Sequence, residues 1–293
     1  MVLFGQGIPF IHAGQEFLRS KSMDRDSFNS GDWFNAIDWS LADVNWGHGL
    51  PIAEKNQDNW PIMGPLLADA ALALSQADAQ LSLHMFRELL RVRSSIRLLR
   101  LRSAEQIHDI LQYHNTGPGQ VPGVVISSLR DDAGVVDRRY ESVVVALNAR
   151  PDTSTVALPA LAQHGLALHP ILAQSADVQL RTASYAESGT FLLPPRSASV
   201  FVASRQPGAL IEWLTADIDQ LVDAGELSPA RAQPLRQILW AASRLVHNGR
   251  AAWAVLLAFE HHVRILQRQA HLDVAAGDAL RMHSSDIRSV LTP

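Results

Sequence analysis

The spacing of apolar residues changes twice along this chain, and those changes limit the folds that it can adopt. Residues 66–103 contain no glycine or proline, and their apolar residues recur at helical spacing between charged ones. This spacing predicts an amphipathic helix from about 78 to 101. Residues 105–204 carry short apolar or alternating runs between turn signals, and residues 209–293 return to helical spacing. We therefore expect an α+β chain of several domains in which helical and β parts are separate.

The middle zone predicts an antiparallel β-sandwich. Its apolar runs are separated by glycine, proline and aspartate clusters such as Thr116-Gly117-Pro118-Gly119. Short strands at such spacing are typical of a sandwich of about 100 residues. The predicted strands are Val124–Leu129, Val143–Asn148, Thr155–Leu158 and Ser197–Ala203.

The C-terminal zone predicts three or four helices that form a small bundle. Ser228 is a suitable N-cap before Pro229 in the first turn, and Asn248-Gly249 is expected to cap the C-terminus of the preceding helix. The predicted helices are Leu210–Ala224, Ala230–His247 and Arg250–Ala270.

Before the first helix, the sequence offers one strand candidate, Ile8–His12, and no α/β domain can be completed from it. We expect a buried strand that ends in a glycine turn beside Glu16, which is where α/β barrels place binding groups. The stretch after it mixes carboxylates, amides and arginine with aromatic rings, and four of the seven tryptophans lie at positions 33, 39, 46 and 60. Such a mixture suits sugars, which offer hydroxyls to polar groups and C–H faces to indole rings.

Composition excludes several classes of protein. The net charge of −4 argues against a basic nucleic-acid-binding protein, and 47% hydrophobic residues argue against intrinsic disorder. Without cysteine the chain can form neither disulfides nor thiolate metal sites. Residues 1–13 are apolar, but Gly5, Gly7 and Pro9 interrupt them and no basic residue precedes them, so they do not resemble a signal peptide. No run approaches the roughly 20 apolar residues of a membrane span. We therefore expect neither a nucleic-acid nor a membrane partner, and the localisation stays unassigned.

Two acidic or histidine clusters invite a metal site, and neither has the right pattern. Asp24, Asp26 and Asp32 lie in one loop, but a calcium loop of the EF-hand type needs an acidic or amide residue where Phe28 stands. The adjacent histidines of Glu260-His261-His262 point about 100° apart on a helix. The sequence therefore predicts no metal and no cofactor.

Several strings of residues are distinctive in order and spacing. They are GIPFIHAGQE, LRSKSMDRDSFNSGDWFN, VNWG at Val44–Gly47, KNQDNWP at Lys55–Pro61, YHNTGP at Tyr113–Pro118, and VPG at Val121–Gly123. Together they resemble the pullulanase/limit-dextrinase group of the α-amylase superfamily, and the resemblance covers about residues 1–204. The tail from about 209 resembles the FIMAH-type helical module found at the ends of bacterial secreted or surface proteins.

The resemblance implies a division into three parts. Residues 1–104 are the end of a (β/α)8 catalytic barrel with its last strand, a substrate loop and its last helix; residues 105–206 are the all-β sandwich; and residues 207–293 are the helical module. It also implies hydrolysis of α-1,6 branch bonds in pullulan, amylopectin or limit dextrins. The family's catalytic carboxylates come from earlier barrel strands, so we expect no catalytic residue here and no activity of this chain alone.

Carried over to this sequence, the family motif makes Asp32, Trp33 and Asn35 the substrate-binding candidates, and the alternative for each of them is a role in shaping the loop. Asp32 matches an aspartate that hydrogen-bonds a glucose unit, although Ala36 replaces an arginine that family members often have four residues later. The expected partner is an α-glucan, bound together with the missing barrel portion; the partner of the helical tail stays open. The alternative is a carbohydrate-binding or interaction module without hydrolase activity.

Overall fold

The computed structural model describes residues 1–291, and the chain passes from short helices through two β-sheets to four long helices. The α-helices are α1 (Asp32–Asn35), α2 (Ala53–Asn56), α3 (Trp60–Ala68), α4 (Gln76–Ser95), α5 (Ala104–Ile110), α6 (Pro170–Ala173), α7 (Pro207–Asp223), α8 (Pro229–Arg244), α9 (Gly249–Arg268) and α10 (Val274–Val290). The strands are β1 (Leu111–His114), β2 (Val124–Arg130), β3 (Tyr140–Asn148), β4 (Ser154–Ala157), β5 (Ala167–Leu168), β6 (Ser184–Ala186), β7 (Thr190–Leu193) and β8 (Ser197–Ser204). Among the described residues, no helix is both long and apolar enough to cross a membrane.

Two antiparallel sheets form the middle of the molecule. A five-stranded sheet has the order β1-β2-β3-β8-β5, and a three-stranded sheet has the order β4-β7-β6. Their facing sides enclose a core that includes Ile126, Val144, Phe191 and Phe201. The four strands predicted from the sequence are confirmed as β2, β3, β4 and β8, with ends that move by up to three residues.

The end of helix α4 and the residues that follow it pack on the other face of the five-stranded sheet. It begins at a capping box in which Ser75 and Asp78 exchange hydrogen bonds. Val92 and Ile96 at its end pack with Val143 and Val200 of the sheet in a second core. The predicted helix is confirmed to residue 95, beyond which the chain tightens into a 3-10 turn at Arg97–Arg100.

The four C-terminal helices enclose a core of their own, which includes Leu214, Leu239, Leu256 and Phe259. The three predicted helices are confirmed as α7, α8 and α9, and Ser228 with Pro229 begins α8 as expected. The expected role of Asn248 is wrong. Its side chain accepts the backbone N–H of Ala251 and so caps the start of α9, because α8 has already ended at Arg244.

The predicted buried strand at Ile8–His12 is also wrong. The segment is irregular, and the side chains of Ile8 and Phe10 are 87% and 89% exposed. A strand needs a neighbouring strand for its backbone hydrogen bonds, and none of the strands formed by residues 1–291 pairs with this segment.

The residues before this segment are nevertheless held firmly against α4. The guanidinium of Arg93 donates to the carbonyls of Leu3, Gly5 and Gly7 at 2.8, 2.9 and 2.6 Å. The Gln6 amide adds a bond to the carbonyl of Leu98 at 2.8 Å. The chain start thus lies against the long helix and the second core.

A charged and aromatic contact joins the sandwich to the bundle. The Asp217 carboxylate of α7 accepts two bonds from the Arg138 guanidinium, at 2.5 and 2.9 Å, and lies 2.9 Å from Nδ1 of His283 on α10. The Trp213 ring on α7 lies 5.1 Å from the guanidinium of Arg205. Gly134 has φ +66°, and a Cβ atom there would come within 2.5 Å of the Trp213 ring, so this close approach requires glycine.

Candidate functional site

Residues 14–60, which we call the polar loop, contain little regular structure and are held together by buried polar side chains. Asn45 is the first centre. It has φ +63°, a conformation that asparagine tolerates better than most residues. Its side-chain amide donates to the carbonyls of Ser20 and Trp33 at 3.2 and 2.9 Å, while its own carbonyl accepts the Ser22 hydroxyl at 2.9 Å. Asn45 therefore connects the segments of the polar loop around residues 20 and 33.

Asp24 is the second centre of the polar loop. One carboxylate oxygen accepts from the Asn56 amide at 3.0 Å and from the backbone N–H of Asp26 at 3.2 Å, and the other accepts the Ser30 hydroxyl. Burial raises the pKa of Asp24, but the hydrogen bonds from Ser30, Asp26 and Asn56 together outweigh it and hold the pKa below its usual value. The carboxylate is thus a charged acceptor that organises the loop.

A third contact fixes the far end of the polar loop. The ammonium group of Lys55 lies 2.7 Å from the Asp26 carboxylate and 5.0 Å from the centre of the Phe28 ring. With the Asn56 bond to Asp24, it explains why a lysine and an asparagine stand side by side in the KNQDNWP string. Among the described residues, no group of three or more His, Cys, Asp or Glu side chains is placed to hold a metal ion.

Of the three substrate-binding candidates, Asn35 is used inside the polar loop. Its amide nitrogen donates to the carbonyl of Ser27 at 2.9 Å, and its amide oxygen accepts the Ser27 hydroxyl at 3.2 Å. Its backbone carbonyl accepts the Arg19 guanidinium at 2.9 Å. Asn35 thus fixes the end of α1.

Asp32 and Trp33 lie at the start of α1, and both are exposed, as Asn35 is. Within residues 1–291, no group donates a hydrogen bond to the Asp32 side chain, and the Trp33 side chain is 39% exposed. The Trp33 ring is flanked by Phe34 and by His48, whose ring centre is 6.2 Å away. A carboxylate that accepts hydroxyl groups, next to a supported indole ring, can hydrogen-bond a sugar and stack on it.

His12 and Glu16 take part in local hydrogen bonds. Nε2 of the exposed His12 lies 3.3 Å from Nη2 of Arg19. The Glu16 carboxylate accepts the backbone N–H of Gly14 at 2.9 Å, and Gly14, at φ +90°, has the Arg19 side chain where its Cβ atom would stand. The glycine and glutamate of GIPFIHAGQE therefore shape one tight turn.

A cavity of about 540 Å³ lies beside the polar loop. The Nε–H of Arg19 and the indole N–H of Trp46, two residues of its lining, are buried and find no acceptor in the described part of the chain. The other lining residues are His12, Gln15, Leu18, Ser20, Val44, Leu72 and Leu74.

In the bundle, Glu260 is buried and pairs with Arg288 at 2.9 Å. This ion pair joins α9 to α10, so Glu260 of the Glu260-His261-His262 cluster has a structural role in the bundle.

Sequence reasoning missed the centres of the polar loop. From the sequence, Asn45 was recognised only as part of the VNWG motif, and Asp24 only as a possible calcium ligand. The signal for Asn45 lay in its neighbours, because it stands between the apolar Val44 and Trp46, with Gly47 next. An asparagine in such a place is a candidate for a left-handed conformation with a buried side chain.

The sandwich and the segment before it, from residue 41 onward, match a family of glycoside hydrolase segments. The family described as "Alpha-1,6-glucosidases, pullulanase-type, C-terminal" matches residues 41–204. The chain belongs to this family of C-terminal portions of pullulanase-type α-1,6-glucosidases.

Individual relatives agree with the family match. Pullulanase 1, chloroplastic, of Arabidopsis thaliana is 44% identical over 212 residues, which are 70% of this chain and 22% of that protein. The pullulanase of Klebsiella pneumoniae is 33% identical over 203 residues, which are 68% of this chain and 18% of that protein. The crystal structure of PulA from Klebsiella oxytoca superposes with a TM-score of 0.63 at 30% identity, over 70% of this chain and 19% of that one.

A K. pneumoniae pullulanase complexed with maltotriose gives the same TM-score of 0.63, at 31% identity, over 70% of this chain and 20% of that one. The chain spans about a fifth of the length of the curated relatives that it matches.

Proposed function

We propose that this chain is the part of a pullulanase-type glycoside hydrolase that forms one wall of the substrate cleft and supports it with the sandwich. The observation that carries this proposal is the pair Asp32 and Trp33. Both face solvent from a loop whose own polar groups are bound by Asn45 and Asp24. A site whose loop is held rigid by internal hydrogen bonds, while its own side chains stay open to solvent, is suited to binding.

The proposed chemistry divides the work between this chain and the rest of a barrel. A retaining glycosidase needs a nucleophilic carboxylate and a carboxylic acid about 5–5.5 Å apart, and in this proposal earlier barrel strands supply both. Asp32 accepts a hydrogen bond from a glucose hydroxyl, Trp33 stacks against the sugar, and Asn35 keeps α1 in place. The substrates are the α-1,6 branch bonds of pullulan, amylopectin or limit dextrins; maltotriose in the related K. pneumoniae structure supports an α-glucan.

We also propose that residues 1–104 complete a barrel when the rest of it is present, with the sandwich at 105–206 and a FIMAH-like module at 207–293. Exposed apolar side chains support the barrel part. Ile8 and Phe10 are almost fully exposed, and Leu18, Leu72 and Leu74 around the 540 Å³ cavity are 41–44% exposed. Large apolar surface that is exposed on a folded chain marks an interaction surface. In this proposal, pairing with a neighbouring barrel strand turns Ile8–His12 into the strand that it does not form here.

A chimera tests the proposal. Residues 1–204 replace the corresponding segment of the K. pneumoniae pullulanase, and reducing ends released from pullulan are measured. We expect the chimera to hydrolyse pullulan, while this chain alone releases no reducing ends.

Within that chimera, Asp32→Ala is expected to lower kcat/KM about tenfold, the effect of losing one hydrogen bond to a charged group. Asp58→Ala is the matched control, because Asp58 is an exposed carboxylate of the same loop without a bonded partner among residues 1–291. A folded chimera without activity, or equal effects of the two substitutions, would overturn the proposal.

A further inference from the structure

The bundle carries a groove that the hydrolase assignment leaves unused. The groove lies between α7 and α8 and has a volume of about 620 Å³. That size falls within the range of about 300–1,000 Å³ that is usual for ligand sites. Its polar and aromatic lining consists of Glu212, Thr215, Asp219, Arg236, Trp240 and Ser243. We call it the α7–α8 groove.

Trp240 is the most unusual residue of the α7–α8 groove. Its side chain is 68% exposed, although the neighbouring Leu239 is completely buried and the helix is otherwise a regular amphipathic one. The guanidinium of Arg244, one turn later, lies 5.9 Å from the centre of the indole ring. Trp253 on α9, the other tryptophan in this part of the bundle with an exposed surface, is 36% exposed. Trp240 therefore offers a flat apolar surface to solvent.

Polar groups flank this surface on both helices. The Asp219 carboxylate accepts from Nε of Arg236 at 2.7 Å, and both side chains keep a substantial exposed fraction, 50% and 37%. The Thr215 hydroxyl donates to the carbonyl of Ile211 at 2.9 Å, which leaves its lone pairs free to accept. Donors and acceptors therefore line the groove next to the indole ring.

We propose that the α7–α8 groove binds α-glucan chains, with a glucose ring stacked on Trp240 and its hydroxyls bonded to Asp219 and Arg236. A pyranose ring has an apolar C–H face and polar edges, and a single exposed indole between charged groups matches both. A protein partner would require a cluster of exposed apolar residues at the centre of its contact. The other large apolar residues of the groove, Ile211 and Leu239, are only 2% and 0% exposed. The choice of an α-glucan over other sugars rests on the proposed function.

Calorimetric titration of the full chain with maltoheptaose tests this site. All proteins carry Asp32→Ala, which weakens any binding by the polar loop and does so equally in every sample. We expect Trp240→Ala to weaken binding about tenfold or more, which is typical of removing a central aromatic contact. Trp253→Ala is the control within the bundle, because its ring lies over Arg288 at 5.0 Å on the α9–α10 side, and it should leave the affinity unchanged. Since Trp240 is exposed and alanine favours helices, the substitution leaves the fold intact.

Two further measurements make the result decisive. Cellohexaose, a β-glucan, should bind at least tenfold more weakly than maltoheptaose. Light scattering of the same samples should give one mass for the proteins with and without Trp240→Ala. Equal maltoheptaose affinity of the two proteins, equal binding of cellohexaose, or loss of a dimer on substitution would overturn the proposal, the last by identifying a second copy as the occupant. The pullulan chimera ends at residue 204, so its failure and the failure of this site are separate outcomes.

Discussion

At the scale of single residues, the polar loop depends on side chains that never reach its surface. Asn45 is only 8% exposed and donates to two backbone carbonyls from a left-handed conformation. We predict that Asn45→Ala destabilises the loop by about 1–3 kcal/mol, because buried carbonyls lose their donors. Limited proteolysis with mass-spectrometric mapping should then give faster cleavage between residues 14 and 60.

Asn29→Ala is the matched control for this prediction. Asn29 is an exposed asparagine of the same loop, and its side chain makes no hydrogen bond within residues 1–291. Equal cleavage rates for the two variants would mean that Asn45 does not organise the loop.

His169 supplies a prediction about acid stability. Burial, together with the positive charge of Arg139, lowers the pKa of His169 from 6.5 to about 4. Its Nδ1 accepts the backbone N–H of Ile171 at 3.3 Å, so the neutral ring carries its proton on Nε2 and faces Ser95. A proton on Nδ1 would remove this cap of α6.

Between pH 6.5 and 4, the unfolded chain therefore binds a proton at His169 that the folded chain does not. Stability is full above pH 6.5 and falls toward pH 4, by up to about 3 kcal/mol. We predict that His169→Asn flattens this part of the pH profile in thermal unfolding, while the same substitution at the exposed His84 leaves the slope unchanged. A wild-type profile that is flat from pH 7 to 4.5 would contradict the prediction.

At the scale of elements, Arg93 links the chain start to α4. Its guanidinium is the donor for the carbonyls of Leu3, Gly5 and Gly7, and its side chain is nearly buried. We predict that Arg93→Ala releases residues 1–7, because three carbonyls lose their charged donor at once. Hydrogen–deuterium exchange of this peptide should rise by about tenfold or more, corresponding to the loss of at least one charge-assisted bond.

Arg91→Ala is the control for this prediction, since Arg91 is exposed and its side chain bonds, within residues 1–291, only to the carbonyl of Arg87 in its own helix. If exchange of residues 1–7 rises equally in both variants, the effect comes from α4 itself and not from the Arg93 bonds.

The elements that the sequence predicted well are those whose signal is local. β2, β3 and β8 follow from alternating or apolar runs between turn residues, and α4 follows from helical spacing. The predicted strand Ile8–His12 is wrong because an apolar run indicates only that its side chains favour burial. A strand also needs a partner strand, which comes from elsewhere in the sequence. β5, two residues long, has no signal of its own and exists because β8 lies beside it.

The candidate site could be predicted only in part for the same reason. Motif strings located Asp32, Trp33 and Asn35 on one loop, and the structure places all three in α1. All three are exposed, and which of them is hydrogen-bonded within the loop depends on contacts such as Ser27 to Asn35 that no spacing rule reveals. The α7–α8 groove was equally hidden, because exposure of Trp240 depends on how α7 packs beside α8.

At the scale of the whole molecule, α7 lines the α7–α8 groove with one face and contacts the sandwich with another. Glu212, Thr215 and Asp219 line the α7–α8 groove, while Trp213 and Asp217 point to the sandwich. The sandwich side is strongly charged: besides Asp217, the Asp286 carboxylate of α10 lies 2.8 Å from the Arg97 guanidinium. Burial raises the pKa of Asp217, but the bonds from His283 and Arg138 lower it by more, so this carboxylate stays charged at neutral pH.

We therefore predict that Asp217→Asn loosens the bundle from the sandwich. The substitution leaves the Arg138 guanidinium without its charged partner in a site where the two side chains are only 28% and 16% exposed. The expected cost is about 2–3 kcal/mol, below that of a fully buried pair because water still reaches the site. Calorimetry should then resolve separate unfolding transitions for bundle and sandwich. Asp223→Asn, an exposed position at the end of the same helix, should leave the thermogram unchanged. A single unshifted transition in Asp217→Asn would mean that the apolar contacts around Trp213 suffice to couple the two parts.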